Sequence, residues 1–326
     1  MFGSLEWPAL LALKKENHVM KIVVVGAGGV GGYFGARLAL SGEDVTFVQR
    51  GPHFKAMQKN GLRVESTHGD VVLDTVKVTD NPTDIGPVDI VLIAVKSGET
   101  EEAAELCRPL LSQKTGVITL QNGIENETRL TDKLGHAHVL GGVVYILSLI
   151  VSPGVIRHSG DAARLVFGEL DGSRSDRAQV FLESCRNASI DAHLSEDIGL
   201  ELWKKFIFLC PHNGMTALTR CSIGLVREDL NCRKLLQGAA EEVIAVATAH
   251  NIPIPTDEIG SLMNRFDGLP PEMTSSMHYD VVNGKPLELD WLSGAVVRLG
   301  HERSVATHIN EFIYAALKLL RGGANN

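Results

Sequence analysis

"MKIVVVGAGGVGGYFGARLALSG", residues 20–42, decides the fold. A β-branched run leads into Gly26-x-Gly28-x-x-Gly31, and a helical period follows that ends at Ser41-Gly42. A glycine triplet alone is a weak signal. Between a buried strand and an amphipathic helix it becomes a dinucleotide fingerprint. Gly26 permits the tight turn, Gly28 lets backbone approach a pyrophosphate, and Gly31 lets the helix pack on the strand. The helix N-terminus then offers free N–H groups and a positive dipole to the phosphates.

The second strand, "DVTFVQR" (44–50), bears on which dinucleotide binds. A site for a free ribose 2′-hydroxyl usually closes this strand with Asp or Glu. This chain has Gln49-Arg50 instead. A guanidinium there suits a 2′-phosphate through charge-assisted, often bidentate hydrogen bonds. The expected cofactor is NADP(H).

Further along, "LRVES", "DVVLDTVKVTD", "VDIVLIAVK" (88–96) and "GVITLQNG" (116–123) read as strands, with helices at about 99–112 and from about Glu125. Strands alternating with helices predict a doubly wound, mostly parallel sheet. Ligands of such sheets lie beyond the carboxyl ends of the strands. Lys96 and Asn122 fall there, either as solvated loop residues or as part of the cofactor edge. "VLGGVVYILSLIV" (139–151) is too short and too rich in glycine and serine to span a bilayer, and reads as a buried strand.

From about residue 196 the strand runs stop, and helical periods cover 200–218, 231–250, 256–265 and 288–321. The predicted organisation is an extension at 1–19, a nucleotide-binding domain at 20–195 and an all-α domain at 196–326, with the cleft between the domains as the site. In "ELWKKFIFLCPHNGMTAL" (201–218), Lys205, Leu209 and Asn213 share one stripe at i, i+4 and i+8. Lys204 and Lys205 cannot both face water, so one ammonium points towards apolar neighbours, unless it snorkels out. Pro211 should bend or end the helix nearby. Ser275 and Ser276 precede a helical run and suit capping. Glu288 opens the last long helix, where a carboxylate complements the dipole.

The 326 residues are globular in composition: 44% hydrophobic and 21% charged, with a net charge of −8 and no long block of one sign. That argues against nucleic acid or an anionic membrane as a partner. Five scattered cysteines without CxxC spacing suggest reduced thiols and a cytoplasmic protein. Twelve histidines show no HExxH or clustered carboxylate spacing, so no metal is expected.

GAGGVG after the first strand, "NG" at 122–123, "WKKF" at 203–206 and "SSM…D…G…E.D" across 275–290 together resemble the ketopantoate reductases, within the 6-phosphogluconate dehydrogenase-like superfamily. The resemblance runs in consistent order from Met20 to about residue 320. It implies a Rossmann domain followed by a helical domain, and NADPH-dependent reduction of 2-dehydropantoate to (R)-pantoate, a step towards pantothenate and coenzyme A. By motif position it implies Lys205 as catalytic lysine and Glu288 as the substrate-side glutamate. It places Asn122 both in the catalytic set, helping to hold the lysine and substrate, and on the cofactor side with Lys96 and Arg50, the last at the 2′-phosphate, and it places Ser276 and Asn213 at the substrate. A homodimer through the helical domain is implied only by the family.

The chain departs from the family pattern in having Leu209 where an asparagine is usual, and Gly214 where a proline is usual, with Pro211 nearby. A more apolar pocket suits a different 2-oxo acid, because losing one polar contact can change discrimination greatly. Two alternatives therefore stand beside the main reading: a paralogous reductase of another 2-oxo acid, and a non-catalytic NADP-binding regulator.

Overall fold

The computed structural model describes residues 19–323. Of the predicted extension at 1–19, all but Val19 lies outside the described residues.

Strand β1 (Lys21–Val25) is buried from Ile22 onward on both faces, as a central parallel strand must be. Helix α1 (Gly29–Leu40) returns the chain to β2 (Asp44–Val48), and α2 (Gly51–Asn60) follows. The sheet continues with β3 (Leu62–Ser66), β4 (Val71–Leu73), β5 (Lys77–Thr79) and β6 (Ile90–Ile93). Then come α3 (Thr100–Cys107), β7 (Gly116–Thr119), α4 (Asn126–Leu134) and β8 (Val139–Ser152). Six strands run parallel in the order β5-β2-β1-β6-β7-β8. The chain winds outward from β1 and then restarts at β6 on its other side. The crevice for a ligand therefore opens between the carboxyl ends of β1 and β6.

The remaining strands extend this sheet. β8 folds back antiparallel onto β9 (Val155–Glu169), a strand not foreseen from sequence, and β9 then pairs with β3 and, after α5 (Asp176–Asn187), with β10 (Asp191–Leu194). Residues 70–80, expected as one strand, divide: β4 pairs antiparallel with β3, whereas β5 pairs parallel with β2. The β8–β9 hairpin also covers α1, so that helix is buried along Gly31–Ala36 rather than on one face only. A Cβ on Gly29 would meet the Ser148 carbonyl oxygen at 2.1 Å, and one on Gly32 would meet Ile156 Cδ1 at 2.0 Å. Gly29 and Gly32, beyond the fingerprint, thus serve this second contact. β8 is buried only over its first half, and Leu147, Ile150 and Val151 are exposed.

After β10 the chain is helical: α6 (Ile198–Thr219), α7 (Ile223–Glu228), α8 (Leu230–Ala249), α9 (Glu258–Gly268), α10 (Ser276–Val282), α11 (Ser293–Glu302) and α12 (His308–Leu317). The protein is thus a Rossmann-type sheet followed by a helical bundle. The Asp197 side chain caps α6 by accepting from Leu200 N at 2.9 Å. α6 is the bundle's axis, buried against α8, α10 and α12 and reaching β8. That packing carries the helix through Pro211, against the expectation of a bend or stop: a proline removes one ladder hydrogen bond, and the apolar contacts of 22 helical residues outweigh it. The 288–321 period is likewise not one helix. Glu288 precedes a single 3-10 turn, Leu289–Trp291, and two separate helices follow. No helix among the described residues is long and apolar enough to cross a membrane.

Candidate active site

The glycine loop has the geometry its sequence requires. Gly26 has φ +95, and a Cβ there would lie 2.8 Å from Val95. A Cβ on Gly31 would strike the Gly26 carbonyl oxygen at 2.1 Å. At Gly28 the corresponding position has nothing within 4 Å, so this glycine borders an open cradle at the start of α1. Gln49, the residue read only as "not a carboxylate", has a job of its own. Its Oε1 accepts from Ala27 N at 2.8 Å and holds the loop against the end of β2. Arg50 is exposed just after β2, where it pairs with Glu102 at 2.7 Å.

Beyond β6 and β7 the two halves of the chain meet. Lys205, in the middle of α6, is 9% exposed, and its Nζ donates to Asn122 Oδ1 at 2.8 Å. Asn122 Nδ2 in turn faces Glu288 Oε2 at 3.5 Å. The other oxygen of Glu288 accepts from the backbone N–H of Ser97 at 3.1 Å and lies 3.1 Å from the Ser97 hydroxyl. Lys96 Nζ bridges Asp280 Oδ2 at 2.9 Å and Glu288 Oε2 at 3.6 Å. Lys96, Asn122, Lys205 and Glu288, far apart in sequence, therefore form one connected cluster. The loops that carry it are tied together beneath: Gln121 Nε2 donates to the Lys96 carbonyl at 3.2 Å and to Thr100 Oγ1 at 2.9 Å, and Asn126 Nδ2 donates to the Asn122 carbonyl at 2.9 Å.

The two adjacent lysines of α6 part company. Lys204 pairs with Glu201 one turn earlier at 3.0 Å, while Lys205 points inward. Burial pulls its ammonium down to about 8, against the opposing charges of Glu288 and Glu127. For Lys96 burial also pulls downward, but Glu288 and Asp280 together outweigh it and the net direction is up. One cation is thereby poised near neutrality and the other is held charged.

Ser276 and Asn213 are placed together but not alike. Ser276 is the first residue of α10 and half-buried, and its Oγ donates to Asn213 Oδ1 at 3.2 Å. Asn213 is 1% exposed; Oδ1 also accepts from Met277 N at 3.1 Å, and Nδ2 donates to the Leu209 carbonyl at 3.0 Å. With three bonds already made inside the protein, Asn213 anchors the start of α10 rather than reaching into the cleft. Ser275, not Ser276, is the cap, accepting from His278 N at 3.0 Å. Asp280 is the site carboxylate to which sequence reasoning assigned no role. It lies one turn along α10 from Ser276, and that spacing was the available signal. Leu209 is half-buried one turn beyond Lys205. Among the described residues no group of three or more histidine, cysteine or carboxylate side chains could hold a metal ion.

A cradle at a helix start, an ammonium near neutral pH and a carboxylate linked to it through an amide can bind a dinucleotide and protonate an oxygen beside it. Comparison with known proteins gives the family to which the chain belongs. The family model described as ketopantoate reductase PanE/ApbA matches residues 22–172, and its C-terminal counterpart matches residues 197–321. The chain is 30% identical to an uncharacterized oxidoreductase, YkpB, of Bacillus subtilis, over 92% of this chain and 98% of that one. It is 31% identical to a 2-dehydropantoate 2-reductase of Mesorhizobium japonicum, over 86% and 91% of the respective chains. A 2-dehydropantoate 2-reductase structure from Geobacter metallireducens superposes with a TM-score of 0.86 at 33% identity, covering 91% of this chain and 99% of that one. The chain belongs to the ketopantoate reductase family and is an oxidoreductase.

Proposed function

We propose that the protein is an NADPH-dependent 2-dehydropantoate 2-reductase, forming (R)-pantoate for pantothenate and coenzyme A synthesis, with Lys205 as general acid. The observation that carries this reading is the Lys205–Asn122–Glu288 chain across the cleft, with hydrogen bonds of 2.8 and 3.5 Å. The open cradle at Gly28 and the turn at Gly26 fit a dinucleotide pyrophosphate. When bound, the reduced nicotinamide supplies the hydride to the C2 ketone.

The chain's own residues do the rest. Lys205 donates a hydrogen bond to the ketone oxygen, stabilises the negative charge that develops there and passes its proton to it. Asn122 holds the Nζ in place by accepting one of its three donors. Glu288, itself held by Ser97, receives the substrate's hydroxyl side and favours the charged lysine. Ser276 meets the substrate carboxylate or hydroxyl, and Asn213 aims it. Lys96 positions Glu288 and Asp280 at the cofactor edge. Arg50 exchanges Glu102 for the cofactor 2′-phosphate, a trade one exposed ion pair hardly opposes.

One observation favours a second reading. Leu209 presents an apolar, half-buried side chain one turn from Lys205, which suits a 2-oxo acid with a less polar tail. The experiment is NADPH oxidation with 2-dehydropantoate beside a panel of branched 2-oxo acids. Selective turnover of 2-dehydropantoate supports the first reading. A better kcat/KM elsewhere in the panel moves the assignment to a paralogous reductase. Tight NADPH binding without turnover of any 2-oxo acid ends both.

A further inference from the structure

Two carboxylates act on Lys205, and the mechanism uses only one. Glu127, in the first turn of α4, is 6% exposed, and no side chain pairs with either of its oxygens; only the backbone N–H groups of Glu127 itself and Gly142 lie near them, without a well-formed hydrogen bond. A buried carboxylate left unpartnered is costly to the fold unless something else uses its charge. Its surroundings show what could. Glu127 lines a cavity of about 290 Å³ between α4 and the first turns of α6, walled across from it by Leu202 and Trp203. Thr131, one turn further along α4, lines the same cavity, and its hydroxyl is also buried and unpartnered. Leu202 stands one turn before Lys205 on the same face of α6. α4 is itself the continuation of the loop that carries Asn122, the acceptor of the Lys205 hydrogen bond.

We propose that Glu127 is a positioning residue for Lys205: its carboxylate, buried at the α4–α6 cavity, supplies a second negative charge that keeps the lysine in its ammonium form at working pH. This rests on the reading of Lys205 as the acid. The charged and titratable groups around Lys205 come from several elements. Glu288 precedes the turn at Leu289, Glu127 comes from α4, and Tyr145 of β8 presents its ring centroid 6.0 Å from Nζ. Arg265 of α9 approaches the same ring at 5.9 Å, and on α6 itself Lys204 is neutralised by Glu201. The two carboxylates favour the ammonium and burial opposes it. Burial pushes the Glu127 carboxyl up to about 7, against nearby backbone N–H groups and the Lys205 charge. Its negative charge therefore develops around neutrality, in the same range in which Lys205 releases its proton.

The test is the pH dependence of kcat and KM in the NADPH-loaded enzyme, with the best 2-oxo acid, for the wild type, Glu127→Gln and Glu127→Asp. Glutamine keeps the shape of the neutral acid. The alkaline limb of kcat is expected to move to lower pH by on the order of half a unit to one unit in Glu127→Gln, with KM little changed. Glu127→Asp, which restores the charge, is expected to return the limb towards the wild-type position. A limb that stays put in an active Glu127→Gln enzyme overturns the proposal and leaves Lys205 as the acid. A wild-type enzyme with no alkaline limb removes the Lys205 reading and this proposal with it. Should Glu127→Gln fail to fold, the wild type decides by nuclear magnetic resonance. Titration of the Glu127 carboxyl without a matching step in the Lys205 ε-methylene signal would also overturn it.

Discussion

Lys205 sets chemistry against stability at a single residue. Its folded pKa of about 8 lies below the 10.5 of a free lysine. Between those values the unfolded chain holds a proton that the folded chain has released, so stability climbs with pH across that window. Below pH 8 the cost is present in full, and the gap at 1.36 kcal/mol per unit amounts to about 3 kcal/mol. Lys205→Met should therefore raise the free energy of unfolding at neutral pH by up to ~3 kcal/mol, read from denaturant melts, with the gain shrinking towards pH 10. The same substitution, or Lys205→Ala, should lower kcat by a factor on the order of 10²–10⁴. Near-normal turnover would end the assignment. Wild-type kcat should itself fall as pH rises through about 8, because the reduction needs the proton. At Arg50 the expected effect lies in binding: Arg50→Ala should raise KM for NADPH and leave kcat unchanged, whereas an equal loss with NADH would mean that the guanidinium reads no phosphate.

Helix α1 is the element where close packing and binding can be separated. A methyl group on Gly31 collides with the Gly26 carbonyl, while one on Gly28 meets nothing. Gly31→Ala should thus lower stability by ~1–3 kcal/mol, the usual range for overpacking, and weaken cofactor binding as the helix is displaced. Gly28→Ala should leave the melting temperature of the free protein unchanged and still weaken the cofactor, by filling the cradle. Thermal melts with and without NADPH distinguish the two, and equal destabilisation by both would refute the division of roles. At this scale the glycine spacing, the strand before it and the β-branched runs of β6 and β7 were legible because their periods are local. β9 was not legible, nor the split of residues 70–80 into two strands with different partners. Strand pairing is a long-range choice that alternation alone does not encode. Pro211 misled for a related reason: a local rule about one lost hydrogen bond met a helix buried along most of its length.

Across the whole molecule, Lys96 joins the sheet to the bundle through Asp280, and Arg298 repeats the link on the surface by donating to Glu125 at 2.6 Å. Arg129 adds a cation–π contact with Trp291 at 3.9 Å. Lys96→Met would leave Asp280 and Glu288, both nearly buried, without their shared cation, so the melting temperature should fall at neutral pH. The sign with pH follows from the raised Lys96: its contribution is whole below 10.5 and is lost only as pH climbs through the still higher folded value. The difference between wild type and variant should hold steady from pH 7 to 10; a difference that vanishes by pH 8 would show that the pairing does not stabilise the fold. The strand–helix alternation from β1 to α4, the glycine cradle and the stripe Lys205–Leu209–Asn213 were determined by sequence alone, since each depends on neighbours within a few turns. By pattern alone Lys204 and Lys205 differed only in direction, and it was the family resemblance that singled out Lys205. Only the tertiary structure decided which one is buried, which carboxylates face it, and that Asn213 is spent on anchoring α10, because desolvation and charge pairing depend on groups far apart in the chain, 83 residues for Lys205 and Asn122 and 63 for Asn213 and Ser276.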